Sequence, residues 1–290
     1  MTMAFSSIES MIERAAGMPL WEAVLADDMA ERGCTREDSY SKMAQLWQAM
    51  READGEYDPA QRSISGLVGG DGGRMAKAAA SGESVCGSFV GLVMARALKM
   101  GECNACMKRI VAAPTAGSCG VLPAVLISCK EQFGLSDDDI VQALFVAAGA
   151  GQVIAQRAFI SGAEGGCQAE IGSASAMAAA AVVTLRGGTS EQAAHAVAIA
   201  LKNLLGLVCD PVAGLVEVPC VKRNVIGAVN ALTSVDMALA GIRSAIPPDE
   251  VIDAMRSVGE QMHLSLKETA EGGLAATPTA RLIAAEVMGG

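Results

Sequence analysis

Glycine-rich turns alternate with long runs of small apolar residues over most of this chain, and this alternation most constrains how it can fold. The turns include SGLVGGDGG (65–73), PTAGSCG (114–120), SGAEGG (161–166) and DPVAG (210–214). Small side chains let neighbouring helices approach closely. Runs of β-branched residues with the period-two alternation of strands are rare. The pattern predicts an all-α fold, a compact helical domain with glycine-rich turns between small-residue helices.

The N-terminal part differs from the remainder in composition. It is densely charged and holds both tryptophans and both tyrosines. Thr35 precedes Asp38 by three residues, which is typical of a capped helix start. The polar stretch DGEYDPAQRS (54–63) then interrupts the helical pattern. We therefore expect an N-terminal helical arm or cap in residues 1–60 and a separate helical domain in residues 61–290.

Helix start signals recur in the second part. Ser136 precedes three aspartates and a long apolar body in GLSDDDIVQALFVAAGAGQVIAQRA. Thr189 or Ser190 begins GGTSEQAAHAVAIALKNLLGL in the same way. Each is predicted to cap a helix whose first turn is acidic.

Charge and hydropathy exclude several classes of partner. The formal net charge is -10 and the pI is about 4.8, so phosphates of a nucleic acid or an anionic membrane surface would repel the chain. The most apolar segment, Ala174–Val183, is shorter than the roughly 20 residues that a bilayer needs. The N-terminus lacks the pattern of a signal peptide. Together with nine cysteines, these features predict a cytoplasmic protein in a reducing compartment.

Several motifs that often carry chemistry are incomplete here. The glycines of SGLVGGDGGRM match neither dinucleotide nor P-loop spacing, although such a turn of bare amides can bind a carboxylate. His195 and His263 are the only histidines, which disfavours a histidine-based zinc enzyme or a Ser-His or Cys-His hydrolase. Cys103 and Cys106 form a lone C-x-x-C, which we interpret as helix packing because no second pair completes a zinc ribbon.

Three further cysteines lie in loops held by glycine and proline. Cys167 follows two glycines and precedes a predicted helix, whose free amides would stabilise its thiolate. Cys209 precedes Asp-Pro, where a helix must stop, and Cys220 follows Pro219. Three thiols are too few for a closed structural zinc site and suit a metal centre with one open position. The residues alone leave open whether these thiols bind a metal or pack as small hydrophobes.

Five separated motifs, in order, carry a resemblance to a known family: SGLVGGD, VAAPTAGSCGVLPAVL, SGAEGGCQAEIGSASAMAAAA, CDPVAGLVEVPCVKRN and LKETAEGGLA. Together with LWEAVLADD near the N-terminus, they closely resemble the α chain of the iron–sulfur-dependent L-serine dehydratases. The resemblance implies a helical catalytic domain that converts L-serine to pyruvate and ammonia without pyridoxal phosphate. It also implies a [4Fe–4S] cluster held by Cys167, Cys209 and Cys220, with one iron kept for substrate.

The resemblance also suggests where substrate binds. Backbone amides and hydroxyls of the two glycine-rich turns are expected to hold the substrate carboxylate, with Ser65, Thr115 and Gly117 as substrate-binding residues. Ser118 and Lys267 are the expected catalytic residues, Lys267 through carboxylate pairing or proton transfer. An ordinary surface salt bridge is the alternative for Lys267.

Two departures from single-chain members of that family bear on partners. This chain has no Ser-His-Thr motif, so we expect one subunit of a split enzyme that needs a β chain. It ends AAEVMGG, so we expect no C-terminal cysteine to reach the cluster. Two other functions stay open: an L-cysteine desulfidase with the same cluster, and a non-enzymatic scaffold whose metal only stabilises the fold.

Overall fold

The computed structural model describes residues 5–82 and 84–289 of the chain, and helices dominate it. The described residues form thirteen α-helices: α1 (Ile8–Arg14), α2 (Leu20–Arg32), α3 (Arg36–Gly55), α4 (Asp71–Ala80), α5 (Gly87–Ala105), α6 (Val121–Phe133), α7 (Asp137–Arg157), α8 (Gly162–Gly165), α9 (Ser173–Leu185), α10 (Ser190–Lys202), α11 (Cys220–Leu239), α12 (Pro248–Gln261) and α13 (Pro278–Gly289). Shorter turns are a π-helix (Gln168–Gly172) and three 3-10 helices (Val212–Gly214, Leu264–Leu266, Gly273–Ala276). No strand occurs in the described residues, so the all-α prediction is confirmed.

Helix α9 forms the centre of the molecule. Every residue from Ser173 to Val183 is buried, and α6, α7, α10 and α11 pack around it. Most of these side chains are alanine or serine, so the backbones of the surrounding helices can approach closely. The small-residue run therefore acts as the common packing surface of the fold.

Four helices begin with a reciprocal capping box, in which the cap side chain accepts a hydrogen bond from the amide three residues later. They are α1 (Ser7 with Ser10), α3 (Thr35 with Asp38), α7 (Ser136 with Asp139) and α10 (Thr189 with Gln192). The predicted starts at Thr35 and Ser136 are confirmed. Thr189, and not Ser190, caps α10.

The N-terminal helices pack against the central ones. The Nε1 of Trp47 on α3 donates to Asp137 Oδ1 at the start of α7, at 2.8 Å. Leu25 and Trp47 belong to the same hydrophobic cluster as residues of α7 and α9. A division into a cap of residues 1–60 and a domain of residues 61–290 stays a prediction.

Among the described residues, α7 alone is long and apolar enough to span a membrane by length and composition. Of its most apolar window, 67% is buried inside the protein. Packing against α2, α3 and α9 accounts for this apolar surface, so α7 is a core helix.

Candidate metal centre

Three elements bring Cys167, Cys209 and Cys220 together. Cys167 follows the turn after α8 and immediately precedes the π-helix; Cys209 lies in the loop after α10; Cys220 is the first residue of α11. All three are buried, and none forms a disulfide. The negative charge that Cys167 or Cys220 carries as a thiolate raises the pKa of Cys209. A Cys220 thiolate likewise raises the pKa of Cys167. The three thiols therefore lie within electrostatic reach of one another.

Burial dominates the electrostatics of these thiols. The pKa of Cys167 and that of Cys220 are each raised to about 12, first by burial and second by the negative charge of Glu170. The pKa of Cys209 is also raised, first by burial. We expected free helix amides to stabilise the Cys167 thiolate. Instead the amide of Gln168 donates to the carbonyl of Leu207, at 2.9 Å, and burial prevails.

The donor chemistry fits an iron–sulfur group. Thiolates are soft ligands that suit iron–sulfur clusters and zinc, and no histidine contacts these three thiols in the described residues. In the described residues, no three donors are arranged around a single metal ion. In such a site each thiol sulfur would lie about 2.3 Å from the metal. Metal cations would displace the protons that burial otherwise keeps on the sulfurs.

Glu170 lies beside the thiols, on the π-helix. Thr115 Oγ1 donates to its Oε1 at 2.6 Å, and the thiol of Cys209 lies 4.0 Å from its Oε2. Burial raises the pKa of the Glu170 carboxyl, and the positive charge of Arg223 and the Thr115 hydrogen bond act against that. We did not predict this residue. A signal for it exists, since Glu170 is the sole charged residue between Gly165 and Leu185.

Two glycines make room for Glu170 and Cys209. A β-carbon on Gly162 would lie 2.7 Å from Cys209 Sγ and 2.8 Å from Glu170 Oε2. A β-carbon on Gly117 would lie 2.8 Å from Glu170 Oε1. All three distances are shorter than the contacts that real β-carbons make, so glycine at these positions keeps the space around the carboxylate clear.

Of the predicted residues of the 114–120 turn, Thr115 and Gly117 lie against Glu170, and Ser118 contacts Thr115. The hydroxyls of Thr115 and Ser118 lie 3.2 Å apart, and Ser118 is fully buried. Asn224 Nδ2 donates both to the carbonyl of Gly117, at 2.8 Å, and to that of Cys220, at 3.0 Å. One buried amide therefore fixes this turn to the start of α11, where Cys220 lies.

Ser65 has a different environment. Its hydroxyl donates to Glu217 Oε2 at 2.6 Å, and Ser63 donates to the same oxygen at 2.8 Å. Glu217 lies in the loop between Cys209 and Cys220. Ser65 thus connects the 65–73 turn to the loop between Cys209 and Cys220, called the cysteine loop below. A role for Ser65 in binding substrate stays a prediction.

The backbone of Lys267 pairs with the backbone of Cys209. The two residues form an isolated parallel bridge, in which the Cys209 amide donates to Leu266 O and the Glu268 amide donates to Cys209 O, each at 2.8 Å. The Lys267 side chain is half-buried, and in the described part of the chain it has neither a hydrogen bond nor an ion pair. The surface salt bridge considered as its alternative is therefore not formed there, and its catalytic role stays a prediction.

The most voluminous of the cavities described lies elsewhere. It measures about 530 Å³ and is lined by residues of α2 and α7 and of the turn between α9 and α10. None of the three thiols lines it. Geometry and donor chemistry, and not cavity size, therefore identify the candidate site.

A sequence model of the family "Serine dehydratase alpha chain" matches residues 15–275. The chain belongs to the serine dehydratase alpha chain family. The probable L-serine dehydratase alpha chain of Bacillus subtilis (strain 168) is 47% identical over 288 residues, covering 99% of this chain and 96% of that protein. The L-serine dehydratase alpha chain of Peptoniphilus asaccharolyticus is 44% identical over 269 residues, covering 92% of each.

This member of the serine dehydratase alpha chain family also resembles longer proteins. L-serine dehydratase 1 of Escherichia coli (strain K12) is 45% identical over 183 residues. That match covers 62% of this chain and 40% of the E. coli protein. The shared part of this family therefore occurs both as a chain of this size and as less than half of a longer chain.

Proposed function

We propose that this chain is the catalytic subunit of an L-serine dehydratase, a lyase that converts L-serine to pyruvate and ammonia. The observation that carries the proposal is the convergence of three buried, unpaired thiols beside the carboxylate of Glu170. The names of the relatives, which include L-serine dehydratase alpha chains, support the same reaction.

The proposed cofactor is a [4Fe–4S] cluster, and pyridoxal phosphate takes no part. Cys167, Cys209 and Cys220 would hold the cluster and leave one iron for substrate. When bound, it would act as a Lewis acid towards the serine hydroxyl, which is otherwise a poor leaving group. The nine unpaired cysteines suit a reducing compartment, so we place the protein in the cytoplasm.

The reaction balances without an added reactant. Loss of the α-proton and of hydroxide removes one water from L-serine and leaves an enamine. Protonation of the enamine at carbon gives an imine. One water then hydrolyses the imine to pyruvate and ammonia.

The residues around Glu170 suit the other groups of the substrate. Glu170 is proposed to bind the ammonium group of L-serine, because a buried carboxylate without a full counter-charge attracts a cation strongly. Thr115, Gly117 and Ser118 are proposed to bind the substrate carboxylate through hydroxyls and amides of their turn. Lys267, whose side chain has no partner among the described residues, is the candidate for carboxylate pairing or proton transfer.

A second subunit is proposed to complete the enzyme. The close relatives are named alpha chains, and the E. coli relative is a protein of which this chain matches only 40%. A β chain would supply the remaining part. Activity would then require both subunits, whereas the thiols of this chain alone would bind the cluster.

The test is anaerobic reconstitution with iron and sulfide, followed by iron analysis and EPR with and without L-serine. The chain is expected to bind a cluster whose spectrum responds to L-serine, and to form pyruvate only with its β chain. Release of pyruvate from L-cysteine but not L-serine would instead support the desulfidase. A cluster indifferent to both amino acids, with or without the β chain, would support the scaffold.

Substitution of the thiols tests the ligand assignment. Cys167→Ala, Cys209→Ala and Cys220→Ala are each expected to abolish cluster assembly, because each removes one of three ligands. The matched control is Cys103→Ala, which removes a thiol equally buried, in α5. Full iron content in the Cys209→Ala protein would contradict the assignment.

A further inference from the structure

Arg223 links the start of α11 to the loop that carries Cys209. It lies in the first turn of α11, three residues after Cys220. Its Nη1 donates to the carbonyl of Val208 at 2.7 Å, and its Nη2 donates to Asp210 Oδ1 at 2.8 Å. These two partners flank Cys209 in sequence. The positive charge of the same guanidinium also acts on the thiols of Cys167 and Cys220.

Asp210, the carboxylate partner of Arg223, is itself held in place by a second hydrogen bond. The other carboxylate oxygen of Asp210, Oδ2, accepts from the amide of Leu274 at 2.7 Å. The side chains of Arg223 and Asp210 are only 11% and 4% exposed. A guanidinium has five donors in a rigid plane, so it can contact a carbonyl and a carboxylate together. Lysine, with one flexible ammonium, does not reproduce that geometry.

The charge of Arg223 opposes the negative charges around the thiols. Glu170 raises the pKa of all three thiols, and Glu268 raises that of Cys209, of Cys220 and of Glu170. Arg223 instead lowers the pKa of Cys167, of Cys220 and of Glu170. A buried ion pair contributes little to folding on average, because desolvation offsets the attraction between its charges. The placement of this pair therefore suggests a role at the thiols beyond stabilising the fold.

We propose that Arg223 is a positioning residue, which holds the backbone on both sides of Cys209 and offsets the negative charge of the bound cluster. The inference rests on the proposed function, since it concerns the same three thiols. Net charge is one of the factors that set the potential of an iron–sulfur cluster. Loss of this cation makes the addition of an electron less favourable and weakens the hold on Cys209.

The experiment compares Arg223→Gln and Arg223→Lys with wild type in the full chain, loaded anaerobically with iron and sulfide. The readouts are iron content, the reduction potential by EPR-monitored titration, and the half-life of iron loss in air. Arg96→Gln is the matched control. Arg96 is 12% exposed and pairs with Asp54 and Glu131, but its described contacts include none of the three thiols.

Arg223→Gln is expected to lower the reduction potential and to shorten the half-life of iron loss several-fold. Arg223→Lys, which keeps the charge without the planar fork, is expected to give intermediate values. Arg96→Gln is expected to match wild type in both readouts, even where it lowers the melting temperature. Failure of Arg223→Gln to load iron, with helicity retained and Arg96→Gln fully loaded, would support the inference equally.

Three outcomes overturn the inference, and the third is distinct from the first two. If wild type loads a cluster and Arg223→Gln has the same potential and the same half-life, Arg223 does not position the thiols, while the proposed function stands. The same holds if Arg223→Gln and Arg96→Gln change the readouts equally. If wild type itself binds no cluster, the proposed function fails, and the role of Arg223 fails with it.

Discussion

At the scale of single residues, the carboxylate of Glu170 lies where two loops and a thiol meet. Thr115 approaches it from the 114–120 turn, Cys209 from the loop after α10, and Gly162 from α8. Burial alone would favour the neutral acid. An ammonium group beside the carboxylate would offset that cost, so the site is suited to a cationic group at this position.

Glu170→Gln removes the charge and keeps the shape of the side chain. We expect the KM for L-serine to rise at least about tenfold, because a charged hydrogen bond to the ammonium group is lost, with iron content unchanged. Steady-state kinetics of the complex with its β chain and iron analysis measure the two effects. Glu164→Gln is the control, since Glu164 is exposed on α8 and bonds only Ser161. An unchanged KM would refute the assignment of Glu170.

Gly162→Ala places a methyl group against Cys209 and Glu170. We expect the chain to fold, with a melting temperature within a few degrees of wild type, and to lose most of its capacity for iron. The reason is that the Cys209 sulfur, 2.7 Å from the added carbon, must move. Gly55→Ala is the control, because a β-carbon there meets open space. Normal iron loading by Gly162→Ala would show that the Cys209 sulfur has room to shift.

The sequence allowed the three thiols to be singled out because glycine and proline surround them locally. No comparable pattern of neighbouring residues singles out Glu170 or Arg223 as part of the same site. Thr115 is 55 residues from Glu170, and the charge of Arg223 acts on Cys167 across 56 residues. Contacts of that kind arise when helices dock, and the local pattern of one segment does not contain them.

At the scale of elements, α13 covers the loop between Cys209 and Cys220. Ala280 of α13 packs with Val212 and Ala213 of the 3-10 turn in that loop, and Ile283 extends the contact. The preceding segment adds the Leu274 amide, which donates to Asp210. The cysteine loop is thus held from its outer side by a helix far away in sequence.

Ala280→Arg tests this contact. Ala280 is 4% exposed, so a long charged side chain cannot be accommodated without displacing α13. We expect faster amide hydrogen exchange at residues 209–220 and 264–268, with the central helix α9 unchanged. Ala285→Arg is the control on the exposed face of the same helix. Equal exchange in the two variants would mean that α13 does not hold the loop.

The sequence predicted the helices better than the short turns between them. Capping boxes and apolar periodicity mark the starts of α3, α7 and α10, because both signals are local. The π-helix at Gln168–Gly172 carries no such mark. This π-helix packs closely against α11. A β-carbon added to Gly227 of α11 would lie only 2.8 Å from a methyl carbon of Ile171.

At the scale of the whole molecule, thiols buried away from the candidate site link stability to pH. Burial raises the pKa of Cys103 to about 11 and those of Cys119 and Cys129 to about 12, from a usual 9.0. Below pH 9 these thiols are protonated in both the folded and the unfolded chain. Above it the unfolded chain loses their protons first, so the free energy of unfolding falls as pH rises towards the folded values.

Urea unfolding of the metal-free chain from about pH 9 to about pH 11 measures this linkage. We expect stability to fall over that range, by about 2 kcal/mol for each fully buried thiol. Cys129→Ala is expected to lower stability at pH 8 and to make the pH dependence less steep. Cys34→Ala, which removes a half-exposed thiol, is the control. An equally steep fall in the Cys129→Ala chain would exclude that thiol as a source.

The parallel bridge between Cys209 and Lys267 also sets an order of events during translation. Cys209 emerges from the ribosome 58 residues before Lys267. At usual rates of synthesis of 5–20 residues per second, that interval lasts about 3 to 12 seconds. Throughout it, the backbone of Cys209 lacks both hydrogen bonds that later fix it, and α13 is not yet made. A nascent chain therefore displays all three thiols before it can hold them in place, so the proposed cluster would have to be loaded into the finished polypeptide.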